Sequence, residues 1–214
     1  IMNKLITEYD NWADEGLVLN IWGGTVCQPK WRFGQKSNND TVYPMWFQNF
    51  YDTWKQEYQT DIEEVKTVGN VFMETIGDDY MLVRNMLCGN TFGQDGDIHD
   101  DWQVPGESLT GVLYINPRWE DNWGGETIIY DRENLNYCEI SKFKAGKLIV
   151  FDGSNPHIGK GPQRNCGEVR SIVSVQAVKK DAWERHIDKI KKKSDYWTYK
   201  VRIGDAVNKQ IAKG

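Results

Sequence analysis

The sequence predicts an all-β core with supporting helices, an α+β chain built on an antiparallel barrel or jelly roll. Short apolar runs of strand length, rich in β-branched residues, recur from residue 79 between glycine, asparagine and proline. They follow a helical start, and that order suits a barrel or sandwich braced on one side. With 214 residues and no internal repeat, the chain has the length of a single domain with a full core.

Taken in order, residues 1–78 read as a helical and strand support, residues 79–178 as the core, and residues 179–214 as a C-terminal helical extension. "PKWRFGQKSNND" has a strand followed by a polar loop over 34–43, a place for specificity elements. In the segment 43–69, Trp46, Phe47, Phe50, Tyr51 and Trp54 recur at helical spacing and predict one helix or two. The runs "YMLVRNMLCG", "LTGVLYI", "ETIIYD", "CEISKF", "KLIVFD" and "VRSIVSVQAV" predict six strands. Beyond Val178, "DAWERHIDKIKKKSDYW" reads as an amphipathic helix that Asp181 caps, with a solvated charged face that carries His186. Residues 196–214 hold little apolar content and fit a docked helix or a loose tail.

Composition narrows the function classes. A net charge of −5 gives no general attraction to nucleic acid or an anionic membrane, both of which need a positive field. No run approaches the ~20 apolar residues of a membrane span, and the opening segment lacks the apolar core of a signal peptide, so a cytoplasmic location is expected. Cys27, Cys88, Cys138 and Cys166 stand far apart without a C-x-x-C pair, which predicts reduced thiols rather than a disulfide framework or a zinc site. Oligomeric state has no signature in the chain.

The chemistry concentrates in "GDIHDDWQVPG". Of only three histidines, one precedes two aspartates here. On a strand, residues i and i+2 share a face, so His99 and Asp101 project together while Asp100 turns away. An iron site that must bind oxygen needs two imidazoles and a carboxylate on one side of the ion, with the other positions open. "KLIVFDGSNPHIGKG" supplies the second imidazole, His157, just after an apolar strand. Thirteen residues later Arg170 lies inside another strand. Its fixed fork of donors suits a carboxylate and stays charged in a poorly solvated pocket.

Together these features resemble the Fe(II)/2-oxoglutarate-dependent oxygenases of the prolyl-4-hydroxylase-like group, over about residues 80–178. "TGVLYINPRWEDNWGGETIIYD" is similar to that family's Y-L-N strand, acidic loop and G-G-E-T. "KLIVFDGSNPHIG" is similar to the strand that delivers the distal histidine. The resemblance implies a double-stranded β-helix, the cupin-like jelly roll, with Fe(II) on His99, Asp101 and His157. It also implies 2-oxoglutarate with its C5 carboxylate on Arg170, a hydrogen bond to that carboxylate from Tyr114, and Thr127 lining the pocket. O2 is the oxidant and ascorbate a candidate accessory reductant. Two departures stand out. "PQRNCGE" lengthens the interval between histidine and arginine, which leaves Arg164 as a rival anchor, and "CGNTFGQDGD" replaces a tyrosine-rich segment.

The expected activity is hydroxylation of a C–H bond with release of succinate and CO2. Peptidyl-proline is the leading substrate class. A free amino acid, another small metabolite or a nucleobase is the alternative, with Trp31, Phe33, Trp102, Trp119 and Trp123 available to enclose it. A catalytically silent cupin-like binding module is the remote alternative. The partner is thus a peptide or a small molecule, with neither a membrane nor nucleic acid expected. The pocket mouth is expected to include residues 31–34, 90–97 and 119–123, with the loops 34–43 and 117–125 as potential lids.

Overall fold

The computed structural model describes residues 4–37 and 44–187. The chain divides after Val178 into two compact units. In the second, the described part is a helix over 180–187, in which Asp181 accepts from the Ala182 amide at 2.8 Å and from Arg185 at 2.7 Å. The lysine run, the expected tail over 196–214 and most of the polar loop lie outside the described residues.

In the first unit, β1 (Thr7–Tyr9) leads into α1 (Glu15–Thr25), β2 (Arg32–Gln35), β3 (Met45–Asn49), β4 (Tyr51–Asp52), β5 (Glu57–Tyr58) and α2 (Glu63–Ile76). The core strands follow: β6 (Tyr80–Asn90), β7 (Ser108–Tyr114), β8 (Thr127–Tyr130), β9 (Cys138–Ser141), β10 (Leu148–Asp152), β11 (His157–Gly159) and β12 (Arg170–Lys179). Seven strands form a large sheet in the order β1-β10-β7-β12-β6-β3-β2, and a small sheet runs β11-β8-β9. The segment before Asp101 extends the small sheet beyond β11. Gly96 donates to the Gly159 carbonyl at 3.0 Å, and His99 and His157 exchange backbone bonds of 3.1 and 2.8 Å.

Strand alternation sorts the side chains into two layers. Leu87, Leu113, Val173 and Val175 turn to one face of the large sheet and pack with Val18 and Ile21 of α1 and Val65, Val68 and Phe72 of α2. Their register neighbours Met86, Cys88, Val112, Tyr114 and Ile172 turn the other way and meet Ile129 and Phe151. Gly111 lets α2 approach β7. A Cβ there would sit 2.6 Å from the Phe72 ring.

The helix expected from residue 43 begins only at Glu63, and the short strands β3, β4 and β5 precede it instead. The three- and four-residue aromatic spacing has a different cause. β3 pairs with β6 from Trp46↔Gly89 to Asn49↔Met86, so Phe47 faces the inter-sheet core and Trp46 the opposite side. Cross-strand pairing outweighs local periodicity here. Ring contacts at Phe33–Trp46 and Tyr51–Tyr58, 4.9 and 5.2 Å between centroids, complete the pattern.

Candidate metal centre and carboxylate pocket

His99, Asp101 and His157 converge at the mouth of the sandwich, each offering one ligand atom, all within 4.8 Å of one another. Their backbone places them there. The bridge between residues 99 and 157 sets the two imidazoles side by side, 4.3 Å between ring centroids. Asp101 is fixed by its amide on the Gly153 carbonyl, at 2.8 Å, and by Gln176, which donates to its own carbonyl at 3.1 Å.

Both rings are oriented alike. Nδ1 of His99 lies 2.8 Å from the Asp97 carbonyl, and Nδ1 of His157 lies 2.9 Å from that of Asn155. A carbonyl can only accept, so each Nδ1 carries the proton and each Nε2 keeps a lone pair for a cation. Burial holds His157 below the usual histidine range, with the neighbouring His99 adding to the effect against the pull of Asp101. It is therefore neutral at neutral pH. Burial pushes Asp101 up, but Arg84, the two histidines and the Thr110 hydroxyl outweigh it and keep the carboxyl well below its ordinary value. Arg84 Nη1 donates to Oδ1 at 3.0 Å and Thr110 Oγ1 to Oδ2 at 2.6 Å. Two imidazoles tied through Nδ1 to carbonyls and an ionised carboxylate fit a divalent iron with open positions. Cys88 lines the same cavity, yet burial pushes its thiol up to about 11, so it offers no thiolate.

Deeper in the cavity stands Arg170, 2% exposed. Its Nε donates to the Gly125 carbonyl at 2.8 Å, Nη2 to Thr127 Oγ1 at 3.0 Å and Nη1 to Asn90 Oδ1 at 3.4 Å. All three partners are neutral, and among the described residues no carboxylate forms an ion pair with it. A buried guanidinium in that state calls for an anionic ligand. Gly125 has a φ of +82°, and a Cβ there would meet Trp119 at 2.9 Å and the Arg170 side chain at 3.3 Å, so glycine alone lets its carbonyl reach the guanidinium.

Tyr114 is fully buried behind Thr127. Its hydroxyl lies 2.9 Å from Thr127 Oγ1 and 3.3 Å from the Ser141 carbonyl, and it reaches the cavity only through Thr127. Arg164 is exposed in the turn before β12, away from the lining. Residues that sequence reasoning missed complete the site. Asn116 accepts from the Ser171 amide at 2.7 Å and donates to the Val169 carbonyl at 2.8 Å, which fixes the register of Arg170 from both sides. Arg84, Thr110 and Ser174 line the cavity with Asn90. A charged residue inside the apolar run of β6 was the available signal for Arg84.

The expected aromatic mouth is not there. Trp31 covers Gly89 on the far face of the large sheet and donates to Val26, Trp102 bonds Glu107, and Trp119 stacks on Phe143 at 4.2 Å. Neither Phe33 nor Trp123 lines the cavity, and Trp119 and Trp123 brace the Gly124–Gly125 turn instead. Among the described residues the lining holds no Trp, Tyr or Phe. Of the expected mouth residues, Asn90 and Gly96 are present, joined by Gln35, Lys36 and Ser37.

Comparison with known proteins gives the same architecture. Residues 82–178 match the model of the 2OG-Fe(II) oxygenase superfamily. No curated protein sequence matches the chain. Among solved structures, it resembles a prolyl hydroxylase from Trichoplax adhaerens in complex with a hypoxia inducible factor oxygen degradation domain peptide fragment, at 17% identity and a TM-score of 0.63 over 82% of this chain and 84% of that one. A Pseudomonas putida prolyl-4-hydroxylase matches at 14% identity and 0.57, over 82% and 92% of the chains. The non-haem α-ketoglutarate-dependent epimerase SnoN from nogalamycin biosynthesis matches at 11% and 0.58, over 81% and 77%. At these identities the likeness is one of fold. Among the described residues, no helix is long and apolar enough to cross a membrane.

Proposed function

We propose, from the premise that residues 82–178 make this chain a member of the 2OG-Fe(II) oxygenase superfamily, that it hydroxylates a C–H bond of an organic substrate with release of succinate and CO2. Membership makes it an enzyme that uses Fe(II), 2-oxoglutarate and O2. In this reading His99, Asp101 and His157 hold the iron and Arg170 receives the C5 carboxylate of 2-oxoglutarate. Thr127 adds a hydroxyl beside that carboxylate, and Tyr114 orients the hydroxyl from behind. The observation that carries the reading is the pairing of a His-Asp-His cluster with a buried arginine that has no carboxylate partner among the described residues, both lining one cavity.

Bound iron and 2-oxoglutarate supply the activation of O2 that oxidises the C–H bond. The protein contributes placement. The two Nδ1–H···O=C bonds hold both imidazoles in the ligating tautomer. Arg84 and Thr110 grip the two oxygens of Asp101, which restricts its rotation. The apolar side chains Met86, Val112 and Ile172 limit water in the cavity.

For the substrate, the likeness to prolyl hydroxylases supports a peptidyl proline. A second reading, a free amino acid or other small metabolite, is favoured by the lining, which offers polar and charged groups but no Trp, Tyr or Phe among the described residues. The experiment is to incubate the Fe(II)-loaded protein with 2-oxoglutarate and proline-rich peptides, free amino acids or other metabolites. Succinate and a product heavier by one oxygen are then measured. Turnover confined to peptides selects the prolyl reading, and turnover confined to small molecules selects the second. Failure of the protein to bind iron or 2-oxoglutarate removes the hydroxylase reading itself.

A further inference from the structure

We infer that Arg84 anchors an anionic group of the substrate, a carboxylate or a phosphate, beside the iron. The inference rests on the hydroxylase reading above and deepens its small-molecule branch.

Alternation along β6 turns Arg84, Met86, Cys88 and Asn90 toward the cavity. Three cations line that cavity: Arg170 at its buried end, Lys36 exposed at its rim, and Arg84 between them. The Arg84 side chain is 38% exposed, whereas its partner Asp101 is 5% exposed. Among the described residues only Nη1 is engaged, by Oδ1 of Asp101 at 3.0 Å. The remaining donors of the guanidinium are available to whatever enters.

Charge decides what that should be. In the protein as described, Arg84 is the counter-ion of Asp101. Iron brings two positive charges to the site. Asp101 offsets one of them, and the two carboxylates of 2-oxoglutarate offset the other and the charge of Arg170. Lys36 and Asp100, which also line the cavity, carry opposite charges and offset each other, so the charge of Arg84 is left over, half-buried beside a divalent cation. A substrate with one anionic group makes the loaded site neutral, and a neutral peptide segment does not. Because Arg84 is tied to a ligand of the metal, an anion seated on it lies one residue away from the iron. The carbon to be oxidised then sits a few bonds from the acid group.

The test uses the full chain loaded with Mn(II) and N-oxalylglycine, an unreactive analogue of 2-oxoglutarate. It is titrated calorimetrically with matched pairs: N-acetyl-L-amino acids against their amides, and sugar phosphates against the free sugars. The same pairs are scored for succinate above background with Fe(II) and 2-oxoglutarate. At least one acid should bind and be turned over at least about tenfold better than its neutral partner, the size expected of a charge-assisted hydrogen bond. Which series responds tells carboxylate from phosphate. Because Arg84 also grips Asp101, acid and partner are compared within each variant: in Arg84→Gln the acid should fall to the level of its neutral partner, and Arg84→Lys should restore part of the preference. The inference is overturned if no acid exceeds its neutral partner, or if Arg84→Gln keeps the preference. Should Arg84→Gln fail to take up metal, the wild-type pairs and Arg84→Lys still decide. If wild-type protein binds neither Mn(II) nor N-oxalylglycine, the hydroxylase reading falls and this inference with it.

Discussion

Asp100 and Asp101 are neighbours in sequence with different surroundings. Asp101 is clamped between Arg84 and Thr110 at the metal cluster, whereas Asp100 is 41% exposed and stands 3.8 Å from Arg132. Asp101→Ala should therefore weaken Mn(II) or Fe(II) binding by ~100-fold or more, since even outer partners of a metal ligand are worth 10–100-fold. Asp100→Ala should leave affinity within a few-fold in the same titration. Equal losses would show that the strand register was misread. The arginines make a second contrast. Arg170→Leu should raise the 2-oxoglutarate requirement at least ~10-fold, because a charged hydrogen bond contributes roughly 1.5–3 kcal/mol. Arg164→Leu should not change it, and initial rates across a 2-oxoglutarate series would tell the two apart. The convergence of His99, Asp101 and His157 was legible in the sequence because histidine is scarce in this chain and spacing by two is easily read on a strand. Arg84 and Asn116 were not, because such residues are common in strands. They gain meaning only once the facing strand is known.

At the scale of elements, the strands from β6 to β12 that carry long β-branched runs could be read from composition, as Ile172, Val173 and Val175 illustrate. Other elements escaped, three of them for distinct reasons. β3 has aromatics at helical spacing, α1 presents only a weakly patterned face behind its Asp14 cap, and β1 is three residues long. β1 depends on tertiary contacts that no local pattern reveals. Its Glu8 accepts from Ser141 Oγ at 2.6 Å and from the buried Lys147 at 3.1 Å, and the Ile6 amide donates to Glu139 at 3.0 Å, so the strand ties β10 to β9 across the two sheets. Burial pushes Glu8 up, but the Ser141 hydroxyl and the Lys147 ammonium outweigh it and lower its pKa. A carboxyl lowered in the folded state contributes stability above its unfolded pKa, near ~4.3, and loses it as pH falls through the folded value. Hydrogen-exchange protection in β1 and along the facing edge of β10, taken relative to the intrinsic rate at each pH, should therefore fall as pH drops below ~4.5. Glu8→Gln should already be looser at neutral pH, by about 1 kcal/mol, with a flatter pH dependence.

For the molecule as a whole, ligands that bind only the folded state raise its stability. With Mn(II) and 2-oxoglutarate each near one hundred times its Kd, the first adds ~2.7 kcal/mol and the second a similar amount. For a chain of this size that is a rise of roughly 10–20 °C in melting temperature. A chelator should reverse it, and Asp101→Ala should abolish the metal-dependent part in the same melting experiment. The reciprocal pairing of His99 with His157 has a further consequence. An ion shared by those two side chains closes the chain between them into a ring, because the intervening residues leave the cluster along β7 and come back along β10. In polymer terms the metal is then a removable cross-link, comparable to a bridge that restricts the unfolded chain by on the order of 4 kcal/mol for a loop of roughly sixty residues. Taking the metal away opens that ring without altering a single covalent bond, and the exposed β8–β9 turn around Arg132 is where a protease should first detect the slack.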